Sequence, residues 1–341
     1  MINKEMVATR APEAVILYHK DCMDGIAAAY ITDCYFNYME INHICLPIQY
    51  SENIYDILGD NIQDTNELFF VDFSSSKEII IDLATKFKKV TILDHHKTAE
   101  AELKGLDEVE NIELVFDMNR SGAMITYDYF TGPENNPNHY TVNGLEDMYC
   151  IADYIQDRDL WNWKLDSSKE VSEFLKFTIK PNDIESFRDM VLSFNWNKAL
   201  NIGETLTKVK DKAVASKVKK YREINIAGIE LVCINLTENI SEVGNELCKL
   251  TGKPALMYFI KEDLQVVLSF RSLDELHDVS IIAKFFDGGG HRNACGATTN
   301  LEELTDILQN YFDDYEIEDG KIVNGPFFKK IEEDFNEPDT K

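Results

Sequence analysis

Val90-Thr-Ile-Leu-Asp-His-His96 is an apolar run that ends in an acid and two imidazoles. Its β-branched and apolar residues, Val90 to Leu93, predict a buried strand. In an open parallel sheet, ligands bind at the carboxyl ends of the strands, and here that end carries an acid and two imidazoles. A carboxylate next to imidazoles suits a divalent metal, although an isolated Asp-His-His is more often part of a surface turn. The other strands of this half decide between the two interpretations.

Two further apolar strands end in the same kinds of residue. Ala14-Val-Ile-Leu-Tyr-His19 is followed by Asp21, Asp24 and a glycine that opens an alanine-rich helix. Glu67-Leu-Phe-Phe-Val71 is followed by Asp72 and by serines that can cap the next helix. Three strand ends thus deliver a mixed oxygen and nitrogen set suited to a pair of divalent ions. The members of this set are His19, Asp21, Asp24, Asp72, Asp94, His95 and His96.

The second half carries a separate motif, Asp287-Gly-Gly-Gly-His-Arg-Asn-Ala-Cys-Gly-Ala297, preceded by Leu268-Ser-Phe-Arg-Ser272 and Asp278-Val-Ser280. With these motifs in this order, the chain resembles the DHH phosphoesterases, of the subfamily that carries a DHHA1 domain. The resemblance covers most of the chain. The first motif departs from the commonest Asp-x-Asp form, because one more residue separates Asp21 from Asp24.

The alternation of strand and helix patterns predicts the architecture. In the first half it favours right-handed βαβ crossovers and a parallel sheet. The Lys-rich segment after Asn197 has apolar residues at helical spacing and predicts a linking helix. We therefore expect an α/β protein with a doubly wound parallel-sheet DHH domain (1–196), a linker helix (197–222), a smaller α/β DHHA1 domain with a mixed sheet (223–325) and an acidic tail (326–341).

The net charge limits the partners. The 341 residues carry a formal charge of -27, whereas extended nucleic-acid binders usually show a basic surface. We expect a short, phosphorylated, nucleotide-type substrate and no long duplex, unless the acids are spread over a solvated surface and only the groove matters. No run approaches the roughly 20 apolar residues of a membrane span, so no membrane partner is expected.

Cysteine usage indicates the compartment. The seven cysteines include no Cys-x-x-Cys pair, which favours a reduced, cytoplasmic setting. The sequence leaves the oligomeric state open, and a dimer is compatible with it.

A fourth acidic motif is Tyr149-Cys-Ile-Ala-Asp-Tyr-Ile-Gln-Asp-Arg-Asp-Leu-Trp161. Asp153 and Asp157 are four positions apart, so they share one face of a helix, and Asp159 follows. The resemblance assigns a metal ligand to Asp157. Spacing alone does not decide among Asp153, Asp157 and Asp159.

The glycine-rich motif suggests anion binding. Consecutive glycines at Gly288, Gly289 and Gly290 let backbone N–H groups approach an anion closely. His291, Arg292 and Arg271 add side-chain donors. A lone Gly-Gly-Gly is more often a flexible turn, but with these donors, recognition of a phosphate or a base is the better interpretation. The resemblance implies that this loop holds the substrate.

The resemblance also implies a two-metal hydrolysis of phosphoesters. Its ligand set, in this numbering, is His19, Asp21, Asp24, Asp72, His95 and Asp157, with Asp72 bridging the two ions. Asp94 would orient an imidazole, and His96, His291 and Arg271 would stabilise charge on the phosphoryl oxygens. Imidazole ligands favour two Mn²⁺ per chain over Mg²⁺, with Mg²⁺ or Co²⁺ as substitutes.

The substrate is the most open part of the interpretation. We expect hydrolysis of phosphodiester bonds in short oligonucleotides or in linear or cyclic dinucleotides. The alternatives are a single-strand exonuclease and a hydrolase of polyphosphate or small phosphoesters. A non-catalytic nucleotide-binding protein is the alternative of another class, and a degenerate member would have lost some of the ligands. Here the set is complete, which favours the enzyme.

Overall fold

The computed structural model describes residues 12–50, 52–63, 66–132, 146–309, 316–318 and 321–324. The chain divides into two compact units, Met1–Thr207 and Lys208–Lys341, and the division falls within a long helix. The predicted linker 197–222 overlaps that helix, while the predicted acidic tail lies outside the described residues. None of the described helices combines the length and apolar character that a membrane crossing needs.

The first unit alternates strands with helices. Its strands are β1 (Ala14–His19), β2 (His43–Ile48), β3 (Glu67–Val71), β4 (Lys89–Asp94) and β5 (Ile112–Phe116). The helices between and after them are α1 (Met23–Tyr38), α2 (Ile54–Leu58), α3 (Lys77–Ala84), α4 (Lys97–Leu103), α5 (Gly122–Thr131), α6 (Glu146–Asp159), α7 (Ser168–Thr178), α8 (Ile184–Leu192) and α9 (Trp196–Lys217). Short 3-10 turns occupy Gly59–Asn61 and Leu106–Glu108.

The five strands form one parallel sheet in the order β2-β1-β3-β4-β5. Successive side chains of β1 point to opposite faces of the sheet. Val15 and Leu17 belong to one buried apolar cluster, and Ile16 and Tyr18 belong to another. Burial on both faces explains why these strands read as continuous apolar runs. The doubly wound parallel sheet predicted from the sequence is confirmed.

The second unit is smaller and has its own core. Its strands are β6 (Arg222–Ile226), β7 (Ile229–Asn235), β8 (Ala255–Ile260), β9 (Val266–Arg271), β10 (Gly289–His291) and β11 (Ala294–Thr299), followed by the hairpin β12 (Glu316–Glu318) and β13 (Lys321–Asn324). Its helices are α10 (Ile240–Thr251), α11 (Ser280–Phe285) and α12 (Leu301–Leu308).

The main sheet of this unit has the order β10-β11-β9-β8-β7-β6. Its β7 and β8 are parallel, and the other neighbouring pairs are antiparallel. The sheet is therefore mixed, as predicted.

The strand order of the first unit also fixes where a ligand can bind. From β1 the chain passes outward to β2 and then returns to the opposite side of β1 as β3. A crevice opens at the carboxyl ends of strands where the winding reverses, and ligands of doubly wound sheets bind there. In this sheet the reversal lies between β1 and β3, where His19 ends one strand and Asp72 follows the other.

Candidate metal centre

The carboxyl ends of β1, β3 and β4 bring their polar residues together. Within the described part of this unit, two groups of three residues at this edge of the sheet have ligand atoms within 4.8 Å of one another. One group comprises His19, Asp72 and His96, and the other Asp24, His95 and Asp159. His95 Nε2 lies 3.2 Å from Asp72 Oδ1, so Asp72 links the two groups. This arrangement offers two adjacent sites for divalent cations.

Asp72 is the central residue of this arrangement. Its side chain is 1% exposed, and neither carboxylate oxygen accepts a hydrogen bond of ordinary geometry from the described residues. The oxygens face His19 Nδ1 at 3.5 Å and His95 Nε2 at 3.2 Å instead. A buried carboxylate without hydrogen bonds is costly unless it is paired or coordinates a metal. The donor set around Asp72 therefore fits divalent ions.

The backbone of Asp72 is also unusual. Its φ of 54° lies in the left-handed region, which aspartate tolerates better than most residues. Such strain costs about 1–3 kcal/mol and is concentrated at functional sites. Its backbone nitrogen donates to the carbonyl of Leu93 at 2.9 Å, which ties the turn after β3 to β4.

Asp24 lies in the first turn of α1 and is 1% exposed. Its carboxylate accepts hydrogen bonds from the first backbone nitrogens of α5, Gly122 N at 2.6 Å and Ala123 N at 3.1 Å. Ser121 caps the same helix by accepting from Met124 N at 3.4 Å. Burial and the nearby carboxylates of the site hold the pKa of Asp24 well above its usual value.

Gly122 makes room for this packing. A Cβ at this position would lie 2.4 Å from Asp72 Cβ and 2.8 Å from Asp72 Cα. The absence of a side chain lets α5 begin directly against Asp72 and hold Asp24 beside it.

The Asp-His-His residues have distinct partners. Asp94 is fully buried, and its Oδ1 accepts from His95 N at 2.7 Å and contacts His96 Nδ1 at 2.6 Å. The imidazole that Asp94 orients is therefore that of His96. Burial opposes protonation of His96, but the negative charge of Asp94 outweighs burial and raises the pKa of His96 to about 9.

His95 has three carboxylates around its ring. Its Nε2 lies 3.2 Å from Asp72, 3.5 Å from Asp159 and 3.7 Å from Asp24. Burial opposes protonation, but these carboxylates outweigh it and raise the pKa of His95 to about 10. Burial likewise opposes ionisation of Asp72, yet the close imidazoles of His19 and His95 hold the pKa of Asp72 well below its usual value. Metal binding would take the place of the proton on His95.

Asp157 and Asp159 of the fourth motif have different surroundings in the structure. Asp159 Oδ2 lies 3.5 Å from His95 Nε2. Asp157 instead accepts from Lys164 N at 2.9 Å and Leu165 N at 3.2 Å, one bond to each carboxylate oxygen. Asp159 therefore faces His95 at the end of α6, whereas Asp157 is hydrogen-bonded to the following turn. The metal ligand in this motif stays a prediction.

Asp21 lies beside this centre, and its predicted role as a metal ligand stays a prediction. It has a left-handed φ of 58°, and its Oδ1 accepts from Asn182 Nδ2 at 2.7 Å. Among the described residues, neither group of three around Asp72 and His95 includes it. Asp21 does line a cavity of about 200 Å³ together with Asp24, Asp159, Arg158 and Lys176. This cavity adjoins the metal centre and carries both acidic and basic side chains.

The glycine-rich motif forms the edge of the mixed sheet in the second unit. Gly289 and Gly290 belong to β10, which pairs with β11. A Cβ on Gly288 would lie 2.2 Å from the carbonyl oxygen of Gly296, and one on Gly290, whose φ is 134°, would lie 2.7 Å from that of Ala294. The close approach of two backbones therefore accounts for these glycines.

Arg271 and Arg292 donate hydrogen bonds to groups of their own unit. Arg271 donates to the carbonyl of Phe270 at 2.7 Å and to Ser241 Oγ at 2.9 Å. Arg292 donates to the carbonyls of Asp274 at 3.0 Å and Leu276 at 2.7 Å. His291 ends β10. The role of these residues and the three glycines in binding substrate stays a prediction.

Comparisons with known proteins agree with this architecture. Residues 235–315 match the family model of the DHHA1 domain. The chain is 24% identical over 311 residues to the oligoribonuclease NrnB of Bacillus subtilis (strain 168), covering 84% of this chain and 74% of that protein. It is 28% identical over 308 residues to an uncharacterised protein of Acanthamoeba polyphaga mimivirus, covering 83% of this chain and 66% of that protein, just under two thirds.

Two solved structures share the fold. RecJ of Thermus thermophilus in complex with Mn²⁺ matches with a TM-score of 0.54 and 11% identity, over 87% of this chain and 51% of RecJ. An exopolyphosphatase-related protein of Bacteroides fragilis matches with a TM-score of 0.53 and 13% identity, over 88% of this chain and 91% of that protein.

Proposed function

We propose that this chain, which belongs to the DHH phosphoesterases that carry a C-terminal DHHA1 domain, is a metal-dependent phosphodiesterase of short oligonucleotides and dinucleotides. The observation that carries the proposal is the pair of three-residue groups linked by Asp72. Buried carboxylates and imidazoles at the sheet's switch point have no structural explanation as good as metal binding.

The ligands can be assigned residue by residue. We assign His19, Asp72 and His96 to one ion and Asp24, His95 and Asp159 to the other, with Asp72 shared. Imidazole among the ligands favours Mn²⁺ over Mg²⁺. When bound, two divalent ions lower the pKa of water and neutralise charge on the phosphoryl oxygens.

The chain's own residues prepare the site for that chemistry. The first turn of α5 holds the Asp24 carboxylate in place through Gly122 and Ala123. Asp94 fixes the orientation of the His96 ring and favours its protonated form when no metal is bound. Burial of Asp24, Asp72 and His95 excludes water from their ligand atoms, which strengthens electrostatic interactions there.

Short substrates are supported by charge and by similarity. A chain with a formal charge of -27 repels a long phosphate backbone more than it repels a dinucleotide. One relative is named as an oligoribonuclease and aligns over 84% of this chain. The cavity of about 200 Å³ beside Asp24 and Asp159 provides space for part of a small substrate.

The test is hydrolysis of a matched panel in Mn²⁺: a dinucleotide, a 5-mer, a long single strand, a cyclic dinucleotide and polyphosphate. We expect the shortest oligonucleotides to be cleaved fastest, with activity lost in Asp24→Ala and His95→Ala. Asp107→Ala, at an exposed acid of a 3-10 turn, serves as the control and should retain full activity. Preference for the long strand would favour an exonuclease, and preference for polyphosphate a polyphosphatase. Metal binding without cleavage of any substrate would favour a nucleotide-binding protein.

A further inference from the structure

An exposed aromatic ring lies directly beside the metal centre. Tyr50 follows β2 at the carboxyl edge of the parallel sheet and is 56% exposed. Its ring centroid lies 5.6 Å from that of His19 and 6.3 Å from that of His96, in edge-on contacts. Both imidazoles belong to the group formed with Asp72.

The Tyr50 ring packs against aromatic residues of the core, which fix its position. The ring packs on Phe73 at a centroid distance of 4.6 Å, and Phe73 stacks on Phe70 at 6.4 Å. Phe70 and Phe73 are 0% and 2% exposed, so they are anchored in the core. Tyr50 is thus the outermost ring of an aromatic column that rises from the core to the edge of the metal centre.

We propose that Tyr50 is a stacking platform for a nucleobase of the substrate, which makes it a specificity residue for base-bearing phosphodiesters. The inference rests on the proposed function, and it deepens that function by distinguishing nucleotides from polyphosphate. Every base has a π-face, so stacking on an aromatic ring is strong but tolerant of sequence. In a nucleotide, one sugar separates the base from the phosphate. In the structure, one imidazole separates the Tyr50 ring from Asp72, so the ring lies at a suitable distance for the base of a phosphate bound at the metal centre.

A purely structural role predicts different behaviour. If Tyr50 served only to cover Phe73, any apolar side chain of similar size would replace it. Leucine keeps that contact but has no π-face, whereas phenylalanine keeps both. Tyr50→Leu and Tyr50→Phe therefore separate stacking from packing, and the large exposed fraction of Tyr50 makes both variants compatible with folding.

The experiment compares a linear dinucleotide with its abasic counterpart in Mn²⁺. Loss of base stacking should raise KM for the dinucleotide about 5- to 150-fold in Tyr50→Leu and Tyr50→Ala, with kcat nearly unchanged. The same variants should leave KM for the abasic compound unchanged, and Tyr50→Phe should match the wild type. Tyr38→Ala, at a comparably exposed tyrosine at the end of α1, is the matched control.

Binding measured with Ca²⁺ in place of Mn²⁺ separates this inference from the proposed function. If the wild type binds the dinucleotide more tightly than the abasic compound and Tyr50→Leu loses the difference, the inference holds even without turnover. If the wild type shows no preference for the base, or if Tyr50→Leu retains the preference, the inference is wrong. A wild type that hydrolyses neither compound overturns the proposed function alone.

Discussion

The backbone nitrogen of Gly122 donates a hydrogen bond of 2.6 Å to Oδ2 of Asp24, a residue 98 positions earlier in the chain. This bond joins the first turn of α5 to the first turn of α1. The positive end of a helix dipole stabilises a carboxylate placed there. One glycine thus holds one acid of the candidate metal centre while it leaves room for another, Asp72.

Gly122→Ala should therefore damage the metal centre more than the fold. The added Cβ would meet Asp72 Cβ and Cα at 2.4 and 2.8 Å, so either Asp72 or the start of α5 must move. We expect Mn²⁺ affinity, measured by calorimetry, to fall at least about tenfold, the size of effect that supporting residues have on metal sites.

Ser76→Ala is the comparison variant for Gly122→Ala. It removes the cap of α3, where Ser76 Oγ accepts from Ile79 N, and this costs about 1 kcal/mol of stability but adds no atom near Asp72. If both variants lost similar stability and kept wild-type Mn²⁺ affinity, the close packing of Gly122 on Asp72 would have no part in metal binding.

Substitutions of Asp157 and Asp159 should have different effects on metal binding and on stability. Asp159→Asn should weaken Mn²⁺ binding with little effect on the urea unfolding midpoint, because Asp159 faces His95. Asp157→Asn should lower the free energy of unfolding by about 1–3 kcal/mol, because an amide cannot accept from both Lys164 N and Leu165 N. The reverse pattern would return the ligand role to Asp157.

Metal should stabilise the folded protein. A ligand present at 100 times its Kd adds about 2.7 kcal/mol to the free energy of unfolding. For a unit of the size of the first one, this corresponds to a rise in Tm of about 5–10 °C. Calorimetry with and without Mn²⁺ measures the rise. Asp72→Ala should abolish it because Asp72 contacts both groups, whereas Asp107→Ala should retain it. An equal rise in Asp72→Ala would place the metal elsewhere.

A second cluster in this unit should make stability depend on pH. Asp33 contacts His43 Nε2 at 3.0 Å and also pairs with Arg188. Burial opposes both charges, but the pairing lowers the pKa of Asp33 and raises that of His43. The contribution of His43 is full below pH 6.5 and is lost as pH rises through its folded pKa, while that of Asp33 is full above pH 3.8 and is lost below it.

The free energy difference between wild type and Asp33→Asn should therefore be greatest between about pH 4 and 6.5. Urea unfolding in EDTA across pH 3 to 8 measures it without the influence of bound metal. A difference that stays constant across this range would show that the ion pair contributes nothing to stability.

The sequence predicts the parallel sheet and the residues at its edge because both depend on local patterns. The apolar runs of β1, β3 and β4 identify buried strands, and His19, Asp72 and His95 follow directly at their ends. Parallel strands bring those ends together whatever the connections between them. The role of these residues as metal ligands stays a prediction.

Other features depend on backbone turns that no local pattern specifies. Trp161 and Trp163 adopt left-handed φ angles of 58° and 52°, which bulky residues rarely do. Backbone nitrogens just after this turn donate hydrogen bonds to the carboxylate of Asp157, whereas Asp159 faces His95. The extra residue in the first motif similarly leaves Asp21 bound to Asn182, 161 positions away. Tyr50 belongs to no sequence motif, so only its ring contacts in the structure identify it as a candidate stacking residue.

The most direct test of the account is the rate of dinucleotide hydrolysis in Mn²⁺ for the wild type and for Asp72→Asn, with bound Mn²⁺ counted in both. Asp72→Asn preserves the size of the side chain but removes the charge that links the two groups of ligands. We predict about two Mn²⁺ per wild-type chain, rapid cleavage, and loss of both metal and cleavage in the variant. Cleavage at the wild-type rate by Asp72→Asn, or by the wild type in EDTA, would contradict the account.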